Sequence, residues 1–443
     1  MYIPTLDLRG SEKKLKSATH AVRDPQGSWP EAILSKPLIH YQVRGQHVAL
    51  ITDPDAIKTI LCSGEQAFPK WLPIYRASAT RYSGPYSILA VQGPQWAGIR
   101  RAFNPEFGPD RIGRMAEVSA AATTSAIRPL VGLQSVFPLC NRIAIDVMWR
   151  TLMGDNAQSP TDPHIQAISD RMVRAFDRDD LADAAISIMD LVETVSRRLP
   201  GPEMAQDHPF RSLTAEGSAN HSGLSDAELK DNFFALLYAG QETTALALSR
   251  TLWIIGQDQD LQDKLRDEIR SVPQGTLTRR EGLGRLDLLH CVLKESMRLL
   301  PPALATIRTN TEALTVAGTT LPPNTVLVVP FYALHRSTTL WQEPGVFRPA
   351  RFGAASPEPR HPMAYIPFSS GRHICIAAKN SMFEMVAILA TVIREKRDIV
   401  RQSGAALTPT LASGIFCCLG LLSLSSGCRD HASWRSGCCS GLA

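Results

Sequence analysis

The sequence predicts a mainly α fold with a small β-region. Helical patterns fill most of the chain, strand-like runs are few and short, and no Pro/Gly/Ser-rich linker divides them. Of the 443 residues, 44% are apolar and 20% charged, which is ordinary for a protein with a large core. That length alone allows two or three domains, so it is the missing linker that favours one. The expected organisation is one domain over 1–407, its first 35 or so residues peripheral, followed by a divergent tail at 408–443.

The elements follow in order. Segments 38–43 and 47–52 read as two strands around an Arg44-Gly45 turn, and Asp53-Pro54 is a start signal for the next helix. Helices are expected over 94–103, 111–127, 139–152, 165–176 and 181–198. A long helix spans 225–255, opened by Ser225 as N-cap with Glu228 three residues on, a capping box. Another covers 286–300 and is ended by Pro301-Pro302. Short strands at 315–317 and 325–329 flank the Pro322-Pro323-Asn324 turn, and a last helix begins near Ala377.

Composition narrows the function classes. A net charge of +5 is a weak bias, and no basic run interleaved with aromatics points to nucleic acid. The N-terminus carries neither a signal peptide nor an apolar run long enough to span a bilayer, so the expectation is an unanchored, cytoplasmic monomer. Of nine cysteines, Cys62, Cys140, Cys291 and Cys375 are scattered in the body, which reads as reduced and cytosolic. Cys417, Cys418, Cys428, Cys438 and Cys439 crowd the tail without the C-x₂-C spacing of a zinc site.

Four motifs carry chemistry. Phe368-Ser369-Ser370-Gly371-Arg372-His373-Ile374-Cys375 describes a tight turn presenting one thiolate just before a helix. That arrangement suits a haem iron: thiolate ligation favours O–O cleavage, and N–H groups near a helix start help keep sulfur deprotonated. A buried structural cysteine is the alternative. Within the long helix, Ala239-Gly240-Gln241-Glu242-Thr243-Thr244 is a poor helix interior. Small residues there let a flat ligand approach, and a threonine hydroxyl bonding a preceding carbonyl opens a local bulge that admits water. Acid and alcohol side by side form a proton-delivery pair; a core helix tolerating a glycine is the alternative. Glu295 and Arg298 share a helix face at i, i+3, reading as a buried pair joined by Arg351 from Phe347-Arg348-Pro349-Ala350-Arg351-Phe352. Trp96 and Arg100, at i and i+4, offer an indole N–H and a guanidinium to an anion such as a haem propionate.

In order and spacing these motifs resemble the cytochrome P-450 family of haem-thiolate monooxygenases, soluble bacterial members in particular, over roughly 38–397. The resemblance implies that family's fold, with haem b between the long helix and the cysteine loop. Cys375 would be the iron ligand; Thr243 and Glu242, with Ala239 and Gly240, would handle oxygen and protons. Trp96, Arg100, Arg308 and His373 would hold the propionates, Phe368 and Gly371 would shape the loop, and Glu295, Arg298 and Arg351 would lock the scaffold beneath it. His373 stands where many members have arginine, Ala377 where glycine is usual and Ala350 where an acid is usual, while the end after about residue 407 matches nothing in the family.

The implied reaction inserts one oxygen atom of O₂ into a small hydrophobic substrate, with electrons from NAD(P)H through a ferredoxin and its reductase or a similar partner. Arg100, Arg101, Arg372 and Lys379 are the candidate docking face. The substrate pocket would draw on Trp71, Leu72, Tyr86, Phe234, Leu237, Tyr238 and residues 303–306. The competing readings are a haem-thiolate sensor or non-oxygenase, and a homologue made inactive by its altered end.

Overall fold

The computed structural model describes residues 29–154 except 44, 74–82 and 131–135, isolated positions between 163 and 213, and 223–395 except 274, 355 and 357–359. Arg44, most of the helices expected at 165–176 and 181–198, the N-terminal 28 residues and the tail lie outside the described residues. At the start of the described residues, Trp29 and Ile33 are buried against the sheet beside Val48 and Leu50.

Strands β1 (Leu38–Val43) and β2 (Gln46–Ile51) form the expected antiparallel hairpin. β2 then pairs in parallel with β6 (Val326–Pro330), which pairs antiparallel with β3 (Ala305–Thr309), so a late segment completes the first sheet. The small hairpin of β4 (Leu314–Val316) and β5 (Thr319–Leu321) turns at Ala317 and Gly318, both at positive φ. β3 was hidden in the sequence because its Arg308, although charged, is buried and interrupts the apolar alternation; it is 3% exposed.

Among the described residues, eight principal helices make up most of the rest of the fold. Asp53 accepts from Ala56 N at 2.8 Å to start α1 (Pro54–Cys62). α2 (Gly93–Phe103), α3 (Ile112–Ile127) and α4 (Val136–Met153) lead to the long α5 (Asp226–Ile255), where both halves of the Ser225/Glu228 capping box are formed. α5 is buried on several faces and packs most extensively along α4. α6 (Gln259–Ser271) shows Leu261, Leu265 and Ile269 at four-residue spacing, a signal present in the sequence but overlooked. Its Glu268 accepts from Leu288 N at 2.6 Å and Leu289 N at 3.0 Å, capping α7 (Asp287–Leu299), whose own N-cap Leu286 has no polar side chain. α8 (Ala378–Glu395) lies against α3 and α5. Among the described residues, no helix is long and apolar enough to cross a membrane.

At the base of α7, Glu295 and Arg298 form a bidentate pair, with Arg298 Nε–Oε2 at 2.7 Å and Nη2–Oε1 at 2.8 Å. Arg351 Nε stands 3.3 Å from Glu295 Oε1, and Arg348 N donates to the same oxygen at 2.8 Å. The side chains of all three members are 0% exposed. Arg298 Nη1 also donates to His335 O and Pro344 O, both at 2.8 Å, so one carboxylate organises the chain from 335 to 351. Replacing Glu295 with alanine leaves two guanidiniums buried without their carboxylate and should cost about 3–5 kcal/mol. Urea unfolding of the variant measures this; a loss below about 1 kcal/mol, the scale of an exposed pair, would contradict the buried network.

Candidate functional site

A cavity of about 330 Å³ lies where α5, α8, the loop at 368–377 and the start of β3 meet. Along α5, Ala235, Ala239, Thr243 and Ala247 recur every four residues on its wall, with Gly240 and Thr244 beside them. The expected Phe234, Leu237 and Tyr238 lie off this wall and pack into the core with Trp96 and Phe103 instead. Of the other expected wall residues, Ala303, Ala305 and Thr306 line the cavity. Tyr86 is 46% exposed, Trp71 packs beside the sheet, and Leu304 is buried under it.

The acid and alcohol of α5 separate. Thr243 lines the cavity and its Oγ1 donates to Ala239 O at 2.8 Å. This is the expected bond to a preceding carbonyl, but the helix runs unbroken through it and the expected bulge is not formed. Glu242 is buried outside the cavity wall, where its charge acts on Arg250. Burial pushes Arg250 down to about 10 and Glu242 opposes that fall. Arg250 also donates to Leu300 O at 3.1 Å and Pro301 O at 2.8 Å, tying α5 to the segment entering the wall. Gly240 has a packing role as well, because a Cβ there would stand 2.6 Å from Met148 Sδ of α4.

The cysteine loop is shaped by its backbone. Gly371 has φ +68°, and a Cβ on it would sit 1.9 Å from Leu61 O, so the loop can pass the end of α1 only without a side chain here. Ser369 shares the left-handed region at φ 61°. Cys375 N donates to Phe368 O at 2.9 Å and Ala378 N to Cys375 O at 3.3 Å, closing the turn onto α8. Cys375 lines the cavity and is exposed to it. Its protein surroundings push the thiol up by burial, while the Ala377 amide and the Arg100 guanidinium pull it down.

Next to the cysteine is a concentration of positive charge. Trp96 is 4% exposed and packs on His373 with ring centroids 4.1 Å apart and the rings tilted by 50°, and the Arg372 guanidinium carbon lies 5.3 Å from the Trp96 ring centroid. Arg100 donates to Asn104 Oδ1 at 2.8 Å and Ile374 O at 2.7 Å. His373 Nε2 is 3.2 Å from Glu65 Oε1 without forming a hydrogen bond. Burial, then Lys70, Arg308, Arg372 and Arg100, push His373 down to about 3.

Lys70 was not singled out from the sequence. It bridges to Arg308 across the backbone, and its Nζ donates to Ile88 O and Val91 O, both at 2.8 Å. Burial and the neighbouring Arg308 push it down to about 7, against the pull of Glu65. A lone lysine in an apolar stretch was the one available signal.

These residues fit haem. Several cations face one carboxylate, which matches a ligand bringing carboxylates of its own, and the rest of the cavity wall is largely apolar. Among the described residues no three His, Cys, Asp or Glu side chains converge, so a metal at Cys375 needs its other donors from a ligand, as a porphyrin provides.

Comparison with known proteins agrees. The sequence profile described as Cytochrome P-450 matches residues 35–203 and 204–397. Cytochrome P-450 3A13 of Mus musculus is 26% identical over 391 residues, covering 79% of this chain and 76% of that protein. Cytochrome P-450 4d2 of Drosophila melanogaster is 28% identical over 357 residues, covering 69% and 71%. The structure of retinoic acid bound cyanobacterial CYP120A1 superposes with a TM-score of 0.67 at 20% identity, over 84% of this chain and 86% of that one, a likeness of fold.

Lys70→Met tests the charge cluster. Because Lys70 is held below its ordinary 10.5, the unfolded chain binds its proton more tightly between about pH 7 and 10. Haem-free protein should therefore gain stability as pH rises through that window, and the variant should lose that gain. The haem-loaded variant should release haem about tenfold faster if Lys70 makes a charge-assisted contact. Transfer of haem to apomyoglobin measures the rate, and an unchanged rate would remove Lys70 from the anion site.

Proposed function

The chain belongs to the cytochrome P-450 family, whose members are haem-dependent monooxygenases, and we propose that it oxidises a small hydrophobic substrate against the Thr243 face of α5. The observation that carries this reading is that Cys375 and Thr243, 132 positions apart in the chain, line one largely apolar cavity. When bound, haem supplies oxygen activation and one-electron chemistry.

The chain's own residues would divide the work. Cys375 would hold the iron through its sulfur, with the Ala377 amide and the Arg100 charge favouring the thiolate against the burial that disfavours it. Trp96, Arg100, Arg308, His373 and Lys70 hold the propionates, and Phe368 and Gly371 set the loop's approach. Glu295, Arg298 and Arg351 keep that loop's supports in place.

Thr243 Oγ1 spends its own proton on Ala239 O, so its lone pairs are left to accept from a water entering the cavity. Such a water would pass a proton towards the substrate side. Glu242, one residue along α5, is buried outside the cavity wall beside the Arg250 charge and stands apart from this relay. Ala239 and Gly240 keep the wall low beside the reacting position.

Ile88, Leu89, Leu236 and Ala303 make the remaining wall apolar, which suits a terpenoid, fatty acid or aromatic substrate and excludes bulk water. Arg101, Arg372 and Lys379 are exposed near the cysteine loop and would receive an acidic ferredoxin-type partner drawing on NAD(P)H.

Thr243→Ala tests the relay. The variant should keep its haem yet divert electrons to hydrogen peroxide, raising peroxide formed per NAD(P)H consumed several-fold. Stoichiometry in a reconstituted ferredoxin system reads this out. Turnover as tightly coupled as in the parent protein would contradict the role of the hydroxyl.

A further inference from the structure

The segment from Ser83 to Val91, which carries Ile88 and Leu89 into the cavity wall, is seated on the first turns of α5 by two adjacent side chains. Asp231 Oδ2 accepts from Tyr86 N at 2.9 Å. Asn232 Oδ1 accepts from Ile88 N at 2.7 Å, while its Nδ2 donates to Tyr86 O at 3.0 Å and to Glu228 O at 2.7 Å. Asn232 is 1% exposed, so this amide has no water to fall back on.

The far side of the segment is held by Lys70 Nζ on Ile88 O and Val91 O, both at 2.8 Å. Gly84 completes the fit. A Cβ on it would meet the Asp231 carboxylate at 2.2 Å, and its φ of +83° is open to glycine above other residues.

All of these bonds use main-chain atoms of the segment. The seat is therefore indifferent to which side chains stand at 86, 88 and 89, while the positions of those side chains depend on it.

We propose that Asp231 and Asn232 are positioning residues for substrate selection: they clasp the backbone at 84–88 and thereby fix the wall formed by Ile88 and Leu89 without touching substrate. The proposal rests on the monooxygenase reading, in which this cavity takes the substrate. It goes further by separating the residues that meet the substrate from those that set its room. Such a clasp allows the wall side chains to change with little loss of order, and it makes affinity for long ligands sensitive to two α5 residues outside the cavity.

The test compares haem-loaded parent protein with Asn232→Ala, Asp231→Ala and Gly84→Ala. Two probes that bind haem iron are titrated optically: imidazole, and 4-phenylimidazole, whose added ring extends further along the cavity. Amide hydrogen exchange is followed in peptides covering 84–91. Each variant should speed exchange there, weaken 4-phenylimidazole about tenfold and leave imidazole within about twofold. Gly84→Ala perturbs the clasp from the segment and Asp231→Ala from the helix, so their double variant should add little to either single one.

Unchanged exchange at 84–91 overturns the proposal, as does faster exchange with an unchanged ratio of the two affinities. Equal weakening of both probes also overturns it, because the clasp would then serve the haem site as a whole. Should Asn232→Ala not accumulate, the other two variants give the same readings. Failure of the parent protein to bind either probe is a different result, and it would count against the haem reading instead.

Discussion

Glu295 is the point from which the cysteine's position can be traced bond by bond. Its carboxylate fixes Arg298, which donates to His335 O at 2.8 Å. His335 Nε2 accepts from Ile366 N at 3.0 Å, and Ile366 O accepts from Ser369 N at 3.0 Å at the mouth of the loop. Phe368 O then receives Cys375 N at 2.9 Å. The sequence of contacts requires a neutral His335, since a protonated ring has no acceptor. Burial and the Arg298 charge push it down to about 3, which secures that form. A carboxylate on α7 thus specifies where a sulfur eighty residues later can stand.

The same economy of buried charge recurs at the cavity. Lys70 and His373 are held beside the buried Arg308 where burial disfavours their own charged forms, and a cluster of this kind is costly by itself. Such strain persists where a ligand relieves it, which is the physical content of assigning this corner to carboxylates. Around it the wall is made small and apolar by alanines at four-residue spacing on α5. Charge for holding a cofactor and apolar room for a substrate are thereby set in adjoining parts of one space. Gly371 against Leu61 O supplies the close approach that joins them.

Much of this was legible in the sequence because the signals are local. The capping box at Ser225, the helix stop at Pro301 and the turn-then-cysteine pattern at 368–375 each depend on neighbours in the chain, and each is present. What was missed depends on distant partners. Lys70 gains its place from the Ile88 and Val91 carbonyls and from its bridge to Arg308, none of which spacing reveals. The period of α5 was evident but its phase was not, so Phe234, Leu237 and Tyr238 were assigned to the cavity while Ala235 and Leu236 occupy it. Glu242 shows the same limit. Its neighbours Thr243 and Thr244 share the cavity wall, whereas Glu242 falls on the side of α5 that is buried away from it. β3 was concealed by a buried arginine, Arg308, an instance of local pattern yielding to tertiary placement.

The central claim is that the Cys375 sulfur ligates haem iron in this cavity. Its most direct test is the absorption spectrum of purified, haem-loaded protein after reduction and addition of CO. Thiolate ligation predicts the strongly red-shifted Soret band peculiar to it, and loss of that band in Cys375→Ser. A Soret position typical of histidine-ligated haem, or a red-shifted band that survives in Cys375→Ser, would contradict the account.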